Sequence, residues 1–240
     1  MLLLTSPNII FAILFIIMKN LEEITNAIEK KLNEKDDLRE IALKKCRDII
    51  RESRKSIKKL HNGDIENAEK RLDKAVKLLQ ELKEKLKEHP DLMTAGYMEN
   101  AMQEVAEGKI FLAIIKDNSL PYPEDIEVSY TSYVMGLADV IGELRRRGMY
   151  KLKEGSVAEV EKIIEDMEAI YDKIAEFDYP SGLLPLKRKQ DVMKKVLEKM
   201  REEIVIFRKS KELESKIDVL LNKLKKKEKE EVGLDIDSLL

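Results

Sequence analysis

The chain has 240 residues, 43% of them hydrophobic, which is enough to bury a sizeable core within one domain. A charged share of 38%, no tryptophan, and only nine glycines and six prolines exclude a strand-rich fold with many tight turns and favour long, charge-laced helices, so the expected class is all-α. With 45 basic against 47 acidic residues the net charge is −2, and any nucleic-acid site must be a local patch, not a global field. Cys46 is the single cysteine; it excludes an internal disulfide framework and a cysteine-rich zinc site, reads most simply as a small core residue, and accords with a reducing cytoplasm, the expected location.

Residues 1–18, MLLLTSPNIIFAILFIIM, carry no charge, and charged residues begin at Lys19. The segment has neither the basic start nor the small-residue cleavage site of a secretory signal. Ser6, Pro7 and Asn8 interrupt it, leaving an apolar run over 9–18 that falls short of the roughly 20 residues of a spanning helix. A membrane partner is therefore not expected. The segment reads either as a weak anchor or, because MKNLEEITNAIEKK from Met18 resembles a natural start, as an upstream extension of residues 1–17.

Beyond it, Leu21, Ile24, Ile28, Leu32, Leu38, Ile41, Cys46, Ile49, Ile57 and Leu60 keep helical spacing, predicting one very long helix or two nearly collinear ones. His61, Asn62, Gly63 and Asp64 form a stop, turn and cap. A second helix follows to about Lys87, ended by His89-Pro90. The third is expected over 91–116, the fourth over 124–152 after the extended Leu120-Pro121-Tyr122-Pro123, and two more over 157–176 and 184–207, separated by Asp178, Pro180, Gly182 and Pro185. Residues 19–208 are read as the domain, and 209–240, with its mixed charge run KLKKKEKEE, as a solvated helix or tail. There is no fixed-period repeat, no glycine-rich phosphate loop and no CxxC, and with two histidines only, any metal would be held by oxygen ligands.

Two features bear on chemistry. The third helix carries Glu104 and Glu107 on one face, and the fourth carries Asp139 and Glu143, four apart, in the apolar stretch TSYVMGLADVIGEL. A carboxylate among Leu137, Val140, Ile141 and Leu144 needs a partner or a cation. If the two helices pack antiparallel, the four acids converge on a site suited to Mg²⁺ or Mn²⁺, which could ionise a water for attack on a phosphodiester. The competing reading pairs Asp139 and Glu143 with Arg145, Arg146, Arg147 or a lysine of another helix. The second feature is a basic stripe on the first helix, Arg47, Arg51, Arg54, Lys55, Lys58 and His61, able to track a phosphate backbone or, more simply, to be a solvated face. No aromatic ladder accompanies it.

The blocks REIALKKCRDIIRESRKSIKKLHNGD, HPDLMTAGYMENAMQEVAEG, YTSYVMGLADVIGELRRR, MEAIYDKIAEFDYP and LKRKQDVMKKVLEKMRE resemble the translin and translin-associated factor X family in its archaeal branch, over roughly residues 39–207. The resemblance implies a bundle of about seven helices assembling into a closed homo-oligomeric shell, hexamer to octamer, around nucleic acid. It implies single-stranded RNA, and secondarily single-stranded DNA, as partners. It also implies either an Mg²⁺-dependent (or Mn²⁺-dependent) endoribonuclease of the factor X type or a non-catalytic binding shell of the translin type. On that resemblance Glu104, Glu107 and Asp139 match the catalytic and metal-binding acids, Glu143 a supporting ligand, and the first-helix bases, Arg51, Arg54 and Lys55 foremost, the nucleic-acid contacts. Gly108 stands where the factor X pattern has alanine, and the long insertion before the fourth helix is missing. A helical scaffold or membrane-tethered adaptor is the remaining alternative.

Overall fold

A computed structural model describes residues 20–234; the apolar segment 1–18 and the readings made of it lie outside the described residues. Among those residues the chain is all-α, as composition predicts, with seven helices and one 3-10 turn: α1 (Leu21–His61), α2 (Ile65–Leu86), α3 (Pro90–Met93), α4 (Gly96–Ile115), the turn Glu124–Ile126, α5 (Tyr130–Glu154), α6 (Val157–Ala175) and α7 (Lys187–Leu234). None of these helices is long and apolar enough to cross a membrane.

The α1–α2 hairpin forms as the stop signal predicts, with the amides of Gly63 and Asp64 donating back to the carbonyls of Leu60 and Lys59. Small buried serines let the two helices approach, and Ser56 Oγ donates to the Ala68 carbonyl at 2.8 Å. Glu52, buried on α1, is matched by Arg71 at 2.7 Å and Lys74 at 3.4 Å on α2, as a charge removed from water requires.

Three boundaries differ from expectation. The helix predicted over 91–116 is split, because Ala95 is extended (φ −66°, ψ 145°) and α4 starts afresh at Gly96. The helix predicted from Glu124 begins only at Tyr130: Glu127 is left-handed (φ 60°), and Ser129 caps the new helix by accepting from the Ser132 amide. The last helix starts at Lys187 and runs without a break to Leu234, through the predicted boundary near 208. Burial nevertheless changes there, since after Ile204 no described residue is buried and residues 208–227 are all exposed.

α4 is the centre of the molecule. Met98, Ala101, Met102, Val105, Ala106, Ile110, Phe111 and Leu112 are buried around its circumference, so the helix is apolar on nearly every side, as a core helix must be. Gly108 is not a weak point in it. A Cβ there would lie 2.5 Å from Leu72 Cδ2, so the glycine lets α2 close on α4 while the helix continues unbroken to Ile115.

The antiparallel packing supposed for the two acid-bearing helices is corrected by the structure: α4 and α5 run parallel. Ser132 Oγ bonds the Glu99 carbonyl, Gly136 lies against Gln103, Ala106 and Glu107, and Asp139 meets the Gln103 side chain, so positions advance together along both helices. The 116–129 connection makes this geometry available. It returns along the bundle past Pro121 and Pro123 and is pinned by Tyr133 Oη on the Pro121 carbonyl (2.8 Å) and by Lys83 on Glu127 (2.7 Å). α7 is also parallel to α5, with Lys189 beside Asp139 at its start and Glu203 on Arg145 at 2.5 Å further along. α6 runs the other way between them.

At Gly136 the close approach is to backbone: a Cβ would sit 2.7 Å from the Gln103 carbonyl oxygen and 2.9 Å from the Glu107 nitrogen. Backbone cannot move aside as a side-chain tip can. Gly136→Ala is expected to cost about 1–3 kcal/mol in urea unfolding. Gly142→Ala, on the exposed face of the same helix with nothing near the added carbon, is expected to gain up to about 1 kcal/mol.

Candidate functional site

The register of α4 against α1 and α5 brings the four predicted acids to one region. Glu104, Glu107 and Glu143 line a pocket of about 350 Å³ together with Arg54, Ile57, Lys58 and Arg146. Asp139 stands behind it, at the α5–α7 contact.

Each acid has a different environment. Glu104, with only 11% of its side chain exposed, is gripped by Arg54: Nε lies 3.1 and 3.0 Å from the two carboxylate oxygens and Nη2 2.5 Å from Oε1. Asp139 accepts from Lys189 Nζ and from Gln103 Nε2 at 2.5 Å. Glu143 meets Nε2 of His61, with Arg146 at 3.8 Å. Glu107 has no ion-pair partner among the described residues. Its carboxyl pKa is pushed up to about 8, first by burial and then by the neighbouring charges of Asp139, Glu104 and Glu143, with Lys189 opposing.

The predicted basic stripe is present with one departure. Arg47, Arg51, Arg54, Lys55 and Lys58 are exposed and, with Ile50, line a shallow groove of about 460 Å³. His61 does not belong to it. Its side chain is 2% exposed, packed between Phe111 (ring centroids 5.1 Å apart) and Tyr150 (6.0 Å) and turned onto Glu143, because the last turn of α1 faces the core. Arg54 and Lys58 line both the groove and the acid pocket, so the two features are continuous.

Lys189 and Gln103 belong to the site although neither stood out in the sequence. Gln103 is one position from Glu104, and Lys189 lies in the LKRKQDV block, where one lysine among several basic neighbours carries no distinguishing mark. The lysine from another helix that the competing reading called for is thus Lys189, while Arg145 is taken by Glu203.

A family model, Translin family, matches residues 37–206. The chain belongs to the translin family. An uncharacterized protein of Methanocaldococcus jannaschii is 36% identical over 187 residues, covering 76% of this chain and 82% of that one. Among solved structures, AfC3PO is 32% identical, with a TM-score of 0.71 over 78% of this chain and 97% of that chain. The same protein in its complex with duplex RNA gives 0.70. Apo-NeC3PO, at 21% identity and a TM-score of 0.68 over 76% of this chain and 96% of that one, shares the fold. The matched range agrees with the 39–207 expected from the sequence blocks, and it contains the acid pocket and the basic groove of this translin-family chain.

As to a metal, the donor set fits and the present positions do not yet form a coordination shell. Oxygen donors from carboxylates suit Mg²⁺ or Mn²⁺, and the Glu107 carboxyl, raised first by burial and then by three neighbouring acids, is a group whose ionised form a cation would favour. Among the described residues, however, no three acidic, histidine or cysteine side chains stand close enough together to hold an ion.

Glu107 sets a sign for pH dependence. Between the ordinary carboxyl value of 4.5 and about 8 the folded protein keeps a proton that the unfolded chain has lost. Binding more protons when folded, it must lose stability as pH rises through that window. Urea midpoints measured from pH 5 to pH 9 are expected to fall for the wild type and to fall less for Glu107→Gln, which keeps a neutral group of the same shape.

Proposed function

We propose that this translin-family chain binds single-stranded RNA along the exposed face of α1 and hydrolyses its phosphodiester bonds with Mg²⁺ or Mn²⁺. Glu104, Glu107 and Asp139 act as ligands and catalytic acids, with Glu143 in support. One observation carries the reading: a pocket lined by carboxylates, one of them without an ion-pair partner among the described residues, is continuous with a groove lined by arginine and lysine. AfC3PO, the structural neighbour at 32% identity, forms a complex with duplex RNA, which supports nucleic acid as the partner class. Assembly as a homo-oligomer, hexamer to octamer, and acceptance of single-stranded DNA belong to the same proposal.

When bound, the divalent ion would supply an ionised water and positive charge for the developing phosphorane. The chain's own residues do the rest. Arg47, Arg51 and Lys55 hold the backbone in the groove, and Lys58 and Arg146 sit at the pocket rim where the scissile phosphate would enter. Glu107 holds a proton at its carboxyl near neutral pH and gives it up when it becomes a ligand. Lys189 and Gln103 fix the Asp139 carboxylate.

A second reading has its own observation. Glu104, Asp139 and Glu143 are each already matched by a protein group, which suits a binding protein whose acids are structural.

Labelled single-stranded RNA, with a duplex arm, incubated with Mg²⁺, Mn²⁺ or chelator, separates the two. Metal-dependent cleavage that Glu104→Ala and Asp139→Asn abolish while RNA binding persists is the expected outcome; binding without cleavage in either metal leaves the binding protein. In the same assay Arg51→Ala and Lys55→Ala are each expected to lower the salt dependence of single-strand binding by about 0.7 in log–log slope, the loss of one phosphate contact.

A further inference from the structure

Arg54 belongs to two places at once. Its side chain is 66% exposed in the basic groove, yet its Nε and Nη2 edge is spent on Glu104, an acid that is almost fully covered. The other two matched acids are held from elsewhere: Asp139 by α7 and α4 through Lys189 and Gln103, Glu143 by His61 and Arg146. Glu104 is therefore the one acid of the pocket whose counter-charge also faces the groove.

We propose that Arg54 couples RNA binding to metal binding: a backbone phosphate in the groove competes with Glu104 for the Arg54 fork, releasing Glu104 to complete a set of carboxylate ligands that is not assembled without it. The inference rests on the carboxylate-metal reading above. Phosphate and carboxylate are rivals for the same planar edge, since both take paired N–H donors side by side. Once Arg54 turns to phosphate, the Glu104 carboxylate is left poorly hydrated beside Glu107 and the other acids, an arrangement that a divalent cation relieves. By linkage the effect runs both ways, so a metal ion that recruits Glu104 frees Arg54 for the backbone. Each ligand thus raises the affinity for the other, and without RNA the Arg54–Glu104 pair holds down ion binding.

The test measures Mn²⁺ affinity by the paramagnetic resonance signal of free Mn²⁺. Wild type, Arg54→Gln and Arg51→Gln are compared with and without a 2′-O-methyl single-stranded oligonucleotide, its own Mn²⁺ uptake subtracted and its length checked as intact afterwards. Arg51 lines the groove but pairs with Asp48 and does not enter the acid pocket, so its variant reports the generic effect of one lost charge. For wild type the oligonucleotide is expected to tighten Mn²⁺ binding about tenfold, within the usual range of coupling between sites. Arg54→Gln is expected to bind Mn²⁺ about tenfold more tightly than wild type when alone, and to change less than about twofold on adding the oligonucleotide. Arg51→Gln should bind the oligonucleotide more weakly and keep the tenfold coupling. Coupling that survives in Arg54→Gln, or a wild type indifferent to the oligonucleotide while still binding Mn²⁺, overturns the role of Arg54 and leaves the metal site standing. A wild type that takes up no Mn²⁺ in either state overturns both.

Discussion

The position of Asp139 and Glu143 against the acids of α4 follows from the contact of Gly136 with the backbone of α4. Without a Cβ at that point α5 lies against Gln103 and Glu107 at a distance that no other residue allows. Asp139, one turn further along, is delivered to the Gln103 amide, and Glu143, a second turn on, reaches His61 at the end of α1. The helices are parallel, so acids three and four residues apart on each of them fall at matching heights. Widening this contact would separate the carboxylates that raise the Glu107 pKa.

The same central helix explains the electrostatics. α4 is apolar on nearly every side, and two of its acids, Glu104 and Glu107, are carried on it into a poorly hydrated region. Such charges must be matched, protonated or bound to a cation. All three solutions have a representative here or a natural opening for one: Arg54 and Lys189 match Glu104 and Asp139, Glu107 keeps its proton, and the pocket beside them is open. Because the matching cation of Glu104 also faces the groove, charge on the outer surface of α1 and charge in the pocket form one electrostatic system.

Beyond the family-matched range the two longest helices run on with, among the described residues, little beyond ion pairs such as Lys35–Asp91 and Arg208–Glu161 to hold them. The first turns of α1 expose Leu21, Ile24, Ile28 and Leu32, and the last turns of α7 expose Leu213, Ile217, Leu220 and Leu224. Since α1 and α7 are parallel within the body, these arms leave it from opposite ends. Their charged faces keep a helix pattern legible while, among the described residues, the bundle provides nothing for the apolar stripe to bury against.

Helical class, the α1–α2 turn, the acid pairs on α4 and α5 and the basic face of α1 were all decided by local sequence. Periodicity and stop signals act over a few residues, and one turn of helix places i, i+3 and i+4 together whatever surrounds them. Resemblance in blocks such as YTSYVMGLADVIGELRRR marked the family. Tertiary structure alone decided the rest. It set α4 and α5 parallel, through a connection whose path no periodicity encodes; it turned His61 inward away from the stripe its spacing suggested; it matched Asp139 with Lys189, fifty positions away; and it gave Glu104 to Arg54 while leaving Glu107 without a partner. The reason is that charge pairing across a bundle depends on helix direction and axial register, and in this chain both are set by one glycine contact and one long loop.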